Sequence, residues 1–127
     1  MEATEANLMK FIKKSDQFSI PIYQRLYSWT EKECERLWDD IMNVGSNNVP
    51  SHFIGSIMYI KDSSPISKPE PLLVIDGQQR LTTVSLLLEA LARKIGDNEI
   101  EGFSAKKIRH YYLINPLETG DRKYKLL

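Results

Sequence analysis

The stretch Val74 to Thr83, VIDGQQRLTT, holds the densest set of chemically useful side chains in this sequence. A carboxylate (Asp76), two primary amides (Gln78 and Gln79) and a permanent cation (Arg80) surround Gly77. Such a set suits an anion. A guanidinium grips phosphate or carboxylate oxygens with paired N–H groups. A residue without a side chain lets a ligand come close to the backbone. A helix that begins at this point adds unsatisfied N–H groups and the positive end of its dipole. The alternative reading has no ligand. Asp76 and Gln79 have the spacing of a capping box, in which Asp76 caps the helix and Gln79 reaches back to it.

Two other segments carry candidate ligand groups. PIYQRLYSW, Pro21 to Trp29, packs Tyr23, Tyr27, Trp29, Gln24 and Arg25 into nine residues with no clean period. Its aromatics form either a binding wall or a loop packed down on the core. Arg25 is harder to place by packing alone and looks for a carboxylate or phosphate. In HFIGSIMYI, His52 to Ile60, Gly55 interrupts an apolar strand pattern. It marks a bulge or a close backbone approach, so that Gly55 and Ser56 can lie under a ligand. Other reactive residue types read as structure. Cys34 sits in an apolar helical stripe and is a buried small hydrophobe. Asp39 and Asp40 lie on a solvated helix face, and His52 stands alone at a strand start.

The elements that position these groups follow from periodicity. A short helix spans about Ala6 to Lys14 and a short strand covers Phe18 to Ile20. Thr30 and Glu33 open a helix to Met42 with a capping box, an apolar stripe of Cys34, Leu37, Trp38, Ile41 and Met42, and Gly45 as its stop. His52 to Ile60 reads as a largely buried strand. Residues 62–71 contain three prolines and three serines and form a surface loop. Leu72 to Ile75 is a strand, and Gly77 to Ile95 is a helix with Leu81, Val84, Leu88, Leu91 and Ile95 on its core face. Ser104 to Arg109 makes one helical turn, and strands are expected at Tyr111–Ile114 and Lys123–Leu126. The predicted fold class is α+β, a small mixed sheet packed with helices.

The 127 residues fit one domain, with 42% hydrophobic and 27% charged residues and zero formal charge. Zero net charge gives no global field for nucleic acid or a membrane surface. No apolar run approaches the ~20 residues of a membrane span, so no membrane partner is expected. A single cysteine cannot form an internal disulfide, which suits a cytoplasmic setting. The last strand pattern runs to the final residue, so the chain 1–127 reads as a single N-terminal domain, a fragment of something longer.

Taken together, IPIYQRLYSW, HFIGSIMYI and VIDGQQRLTT resemble, in order and spacing, the N-terminal domain of GmrSD-type restriction endonucleases. These are placed with the ParB/sulfiredoxin-like proteins. The resemblance covers about residues 8 to 127, and its most specific part is DGQQR, Asp76 to Arg80. It implies a nucleotide-binding domain of a bacterial modification-dependent restriction or phage-defence protein. It also implies a nuclease in a separate C-terminal domain or partner subunit that meets DNA. No His-Asn-His nuclease pattern surrounds His52 or His110. By matching positions, Tyr23, Gln24, Arg25, Gly55, Ser56, Gly77 and Arg80 would bind a nucleoside triphosphate. Asp76, Gln78 and Gln79 would be catalytic. A carboxylate beside a triphosphate is repulsive unless a cation intervenes, so Asp76 would also hold Mg²⁺. A glutamine would orient the attacking water. Two other classes stay open: a ParB-like DNA-binding module and a non-catalytic protein-interaction domain.

Overall fold

The computed structural model describes residues 7–15, 17–21, 26–46, 57–61 and 71–127. Its central element is β3, Pro71–Asp76. β1, Gln17–Ser19, pairs parallel to one side of it, and β2, Met58–Lys61, pairs antiparallel to the other. The sheet order is therefore β1-β3-β2, a small mixed sheet. Successive strand residues point to opposite faces. Leu72 and Val74 are accordingly buried, whereas Leu73 between them is exposed.

Strand β3 runs through Gly77 into α3, Gln78–Ile95. Leu81, Val84, Leu88, Ala92 and Ile95 of α3 share one buried cluster with Leu72 and Val74, joined by Ile12, Phe18, Leu37 and Ile108. The core face of α3 thus includes Ala92, with Leu91 exposed. Leu91 follows the i, i+3 rows, but the helical pitch turns the next row toward the core at Ala92. α1, Leu8–Lys14, opens with the Asn7 side chain accepting the Lys10 N–H at 3.2 Å. α4, Ala105–Ile108, is capped by Ser104, and its hydrogen bonding continues as a π-helical turn over Arg109–Leu113.

Four expectations from periodicity need correction. The aromatic, β-branched run at Tyr111–Ile114 is not a strand. The Ile114 N–H reaches back to the Arg109 carbonyl at 2.8 Å, so the backbone bonds are spent within a helical turn. Residues Gly120–Lys123 form a 3₁₀ turn, and only isolated bridges follow, Ile114 with Tyr124 and Phe18 with Leu126. Gly45 does not end the preceding helix, since α2 spans Glu31–Ser46. Finally, β2 is exposed along its whole length, as an edge strand allows. Residues 52–56 of its predicted extent, and residues 62–70 of the surface loop, lie outside the described residues.

Lys125 ties the tail to the rest. Its buried ammonium donates to the carbonyls of Ile12, Lys13 and Ser15 at 2.9–3.0 Å. Those groups belong to the end of α1, where helical carbonyls lack partners and the dipole favours a cation. The Gln17 amide donates to Asp121 and Tyr124 carbonyls, and Ile20 and Leu127 pair by backbone at 2.8 Å.

Candidate functional site at the amino end of α3

Gly77 adopts φ 93° and ψ 11°, the left-handed conformation open mainly to glycine. This makes Gly77, not Asp76, the helix N-cap. The expected capping box therefore does not form. Gln79 stands at the second helical position instead of the third, one residue short of that geometry. Asp76, the last residue of β3, uses Oδ1 to accept the Gly77 N–H at 2.9 Å. The Gly77 N–H, expected to face a ligand, is thus satisfied locally. The first helical bond runs from the Leu81 N–H to the Gly77 carbonyl at 3.0 Å. Since glycine supplies no side-chain cap, the N–H groups of Gln79 and Arg80 in the first turn of α3 point toward whatever lies before it.

An open pocket of about 170 Å³ lies there, lined by Trp29, Asp76, Gly77, Gln78, Gln79 and Arg80. The Arg80 guanidinium carbon is 5.9 Å from the centre of the Trp29 ring, at the outer range of a cation–π contact. Trp29 packs partly against the core and also borders the pocket, so both readings of this aromatic hold at once. The side chain of Gln78 turns back along β3 and donates to the Ile75 carbonyl at 2.8 Å. Gln79 turns the other way. Its Oε1 accepts the N–H groups of Ser28 and Trp29 at 2.7 and 3.2 Å, and its Nε2 donates to the Leu26 carbonyl at 3.1 Å.

The same segment is anchored a turn further on. The Tyr27 hydroxyl lies 2.7 Å from Thr83 Oγ1 and 3.2 Å from Cys34 Sγ. The thiol of Cys34 beside it pushes the Tyr27 phenol above its ordinary value. Cys34 is therefore half-buried and hydrogen-bonded, not merely a small apolar residue in a core. Thr83 also donates to the Gln79 carbonyl at 2.7 Å within the helix. At the start of α2, the Glu33 carboxylate accepts the Thr30 N–H at 2.8 Å and the Thr30 hydroxyl. This hydrogen bonding holds the Glu33 carboxyl below its usual range.

Of the residues singled out by sequence, Asp76, Gly77, Gln78, Gln79 and Arg80 come together. Tyr23, Gln24, Arg25, Gly55 and Ser56 lie outside the described residues. The wall made by Leu26 to Trp29 was not expected as a partner of Gln79, and nothing in local spacing records a contact 50 residues away. Among the described residues, no group of three or more His, Cys, Asp or Glu side chains is placed to hold a metal.

A strand that ends at a left-handed glycine and feeds a helix whose amino end borders an open pocket beside an arginine defines a small α+β domain. The family model of the GmrSD restriction endonuclease N-terminal domain matches residues 7–126, and the chain belongs to that family. It is thus a domain of a restriction-system protein. No curated protein matches the chain. Among the described residues, no helix is long and apolar enough to cross a membrane.

Proposed function

We propose that this domain binds a nucleoside triphosphate at the amino end of α3 and that occupancy of this site regulates the restriction system. The observation that carries the reading is the pocket itself, bordered by five consecutive residues, Asp76 to Arg80. Arg80 supplies charge-assisted hydrogen bonds to phosphate oxygens. Gln79 and Arg80 in the first turn of α3 supply backbone N–H groups, and the helix a favourable dipole. A pocket of about 170 Å³ is smaller than the ~300–1,000 Å³ that enclose a drug-sized ligand. The described residues therefore suit the phosphate end. Arg25 as a second clamp, Tyr23 and Gln24 against base or ribose, and Gly55 and Ser56 beneath the ligand complete the proposal.

Among the described residues, Asp76 is the single carboxylate bordering this pocket. One carboxylate does not make a cage for a metal held by protein alone. It does fit Mg²⁺, which typically keeps several waters and shares one or two carboxylates with substrate phosphates. Asp76 would hold the ion, and the ion would neutralise phosphate charge. Hydrolysis would require Gln78 or Gln79 to orient water, and both amides have backbone partners to release first. Binding, rather than hydrolysis, is the activity assigned to the domain itself. The DNA end of the system belongs to a nuclease domain or partner subunit elsewhere.

Calorimetry with nucleoside triphosphates and Mg²⁺ tests this. Heat and saturation are expected with the native chain and not with Arg80→Ala. Equal heats for both remove Arg80 from the site. Binding to DNA duplex that collapses with added salt, with no nucleotide response, would put a DNA-binding module in its place.

A further inference from the structure

Gln79 does more than border the pocket. A primary amide carries donor and acceptor on one planar group, as a peptide does, whereas a carboxylate lacks the donor and an ammonium the acceptor. Gln79 uses both. One oxygen takes two consecutive N–H groups, those of Ser28 and Trp29, and the nitrogen closes on the Leu26 carbonyl two residues before Ser28. Leu26 to Trp29 has no regular secondary structure to pair its backbone. Leu26 itself is exposed, so it adds little packing to hold the segment. The second anchor, Tyr27 on Thr83, leaves α3 four residues after Gln79, on the same side of the helix.

We propose that Gln79 is a positioning residue: its side-chain amide holds the Leu26–Trp29 segment against the amino end of α3 and so fixes Trp29 as the pocket wall beside Arg80. What the pocket holds rests on the function proposed above; the placement of Trp29 by Gln79 does not. A Trp29 released from this clamp would leave one side of the pocket open to water and Arg80 without the ring that faces it. Binding would then weaken although Arg80 and the helix end are unchanged.

The experiment uses a Trp38→Phe background. The chain has two tryptophans, and Trp38 is about half exposed, so this substitution leaves Trp29 as the only indole at little cost to packing. Acrylamide quenching of Trp29 is measured without ligand in three proteins: the background, Gln79→Met and Gln79→Glu. Met removes all three hydrogen bonds and keeps a long helix-compatible side chain. Glu keeps both acceptor bonds and loses only the donor. Quenching is expected to rise with Met and to rise less with Glu, which keeps the two bonds to Ser28 and Trp29 but loses the one to Leu26. Equal quenching in all three overturns the proposal, as does a rise with Glu as large as with Met.

Nucleotide affinity is then measured for Gln79→Met, Trp29→Ala and the double variant. Gln79→Met is expected to bind about tenfold more weakly, the order of one or two lost net hydrogen bonds. In the double variant that loss should largely vanish, since Gln79 acts through Trp29. Fully additive losses overturn the coupling. If the native chain shows no nucleotide response at all while quenching follows the expected pattern, the clamp stands and the nucleotide reading falls.

Discussion

Arg109 grips Glu89 with two parallel hydrogen bonds, Nε to Oε1 at 3.0 Å and Nη2 to Oε2 at 2.9 Å. Arg93, one turn along α3 from Glu89, adds a third at 2.9 Å. The pair joins the middle of α3 to the start of the π turn after α4, and so fixes one helix on the other where their packing is otherwise apolar.

The pH dependence of this link follows from its charge. The Arg109 guanidinium, helped by Arg93, holds the Glu89 carboxyl at about 2 against an ordinary 4.5. The folded form therefore binds its proton less readily than the unfolded chain. The contribution is complete above pH 4.5 and is lost as pH falls toward 2. Both side chains are about a third exposed, so solvent screening limits the effect to the upper part of the ~0.2–1 kcal/mol range of exposed pairs. Glu89→Gln should melt a little below the native chain at neutral pH, with a gap that closes on acidification. Melting curves over that range check it, and a gap that persists at low pH removes the ion pair as its cause.

Arg80 makes a sharper distinction. A ligand at a hundredfold excess over its Kd stabilises the folded state by about 2.7 kcal/mol. Differential scanning fluorimetry with a nucleoside triphosphate and Mg²⁺ should show that rise in Tm for the native chain. It should disappear in Arg80→Ala. Arg80→Lys keeps the charge but loses the planar fork, so part of the rise should remain.

Lys125→Met should be among the costlier single changes outside the apolar core. It leaves the carbonyls at the end of α1 without their cation, and unpaired buried polar groups cost ~1–3 kcal/mol each. Two of the three bonds are buried, so a total loss of about 2–6 kcal/mol is expected. Urea unfolding measures it, and an unchanged midpoint would mean that water satisfies those carbonyls as well as the ammonium does.

Thr30→Ala should cost about 1 kcal/mol, because it removes the hydroxyl that donates to the Glu33 carboxylate at the start of α2. The hydroxyl and N–H of Thr30 both meet Glu33. Loss of helicity confined to the first turn of α2, read by amide chemical shifts, would separate this effect from general destabilisation.

Much of this was legible in the sequence because it is local. The short helix expected over about Ala6 to Lys14, the Thr30–Glu33 pair, strand β3 and the long helix after Gly77 each announce themselves through period and end signals. Periodicity tells which side of a helix is apolar and is silent on what covers it. The α2 stripe predicted to be core buries Leu37, while Trp38, Ile41 and Met42 remain exposed. The site was legible as a cluster of residue types around Gly77. Its hydrogen bonding was not, because a single backbone angle at Gly77 decides which residue caps the helix. The partner of Gln79 lies on a different stretch of chain, and no spacing rule reaches that far. The tail departs from its residue pattern because Tyr111–Ile114 has strand-forming residues whose backbone is already committed to a helical turn.

The position of β3 between two other strands has a consequence for how the pocket breathes. Asp76 ends the central strand, which β2 pairs as far as Asp76 and β1 only as far as Leu73, so the strand amides behind the pocket should exchange with solvent more slowly than those of the wall. The Leu26–Trp29 wall is held by a few side-chain bonds and can detach in a far cheaper fluctuation. Floor and wall thus belong to separate cooperative units. The wall is then the part of the pocket expected to yield first, and the floor the part expected to stay in place.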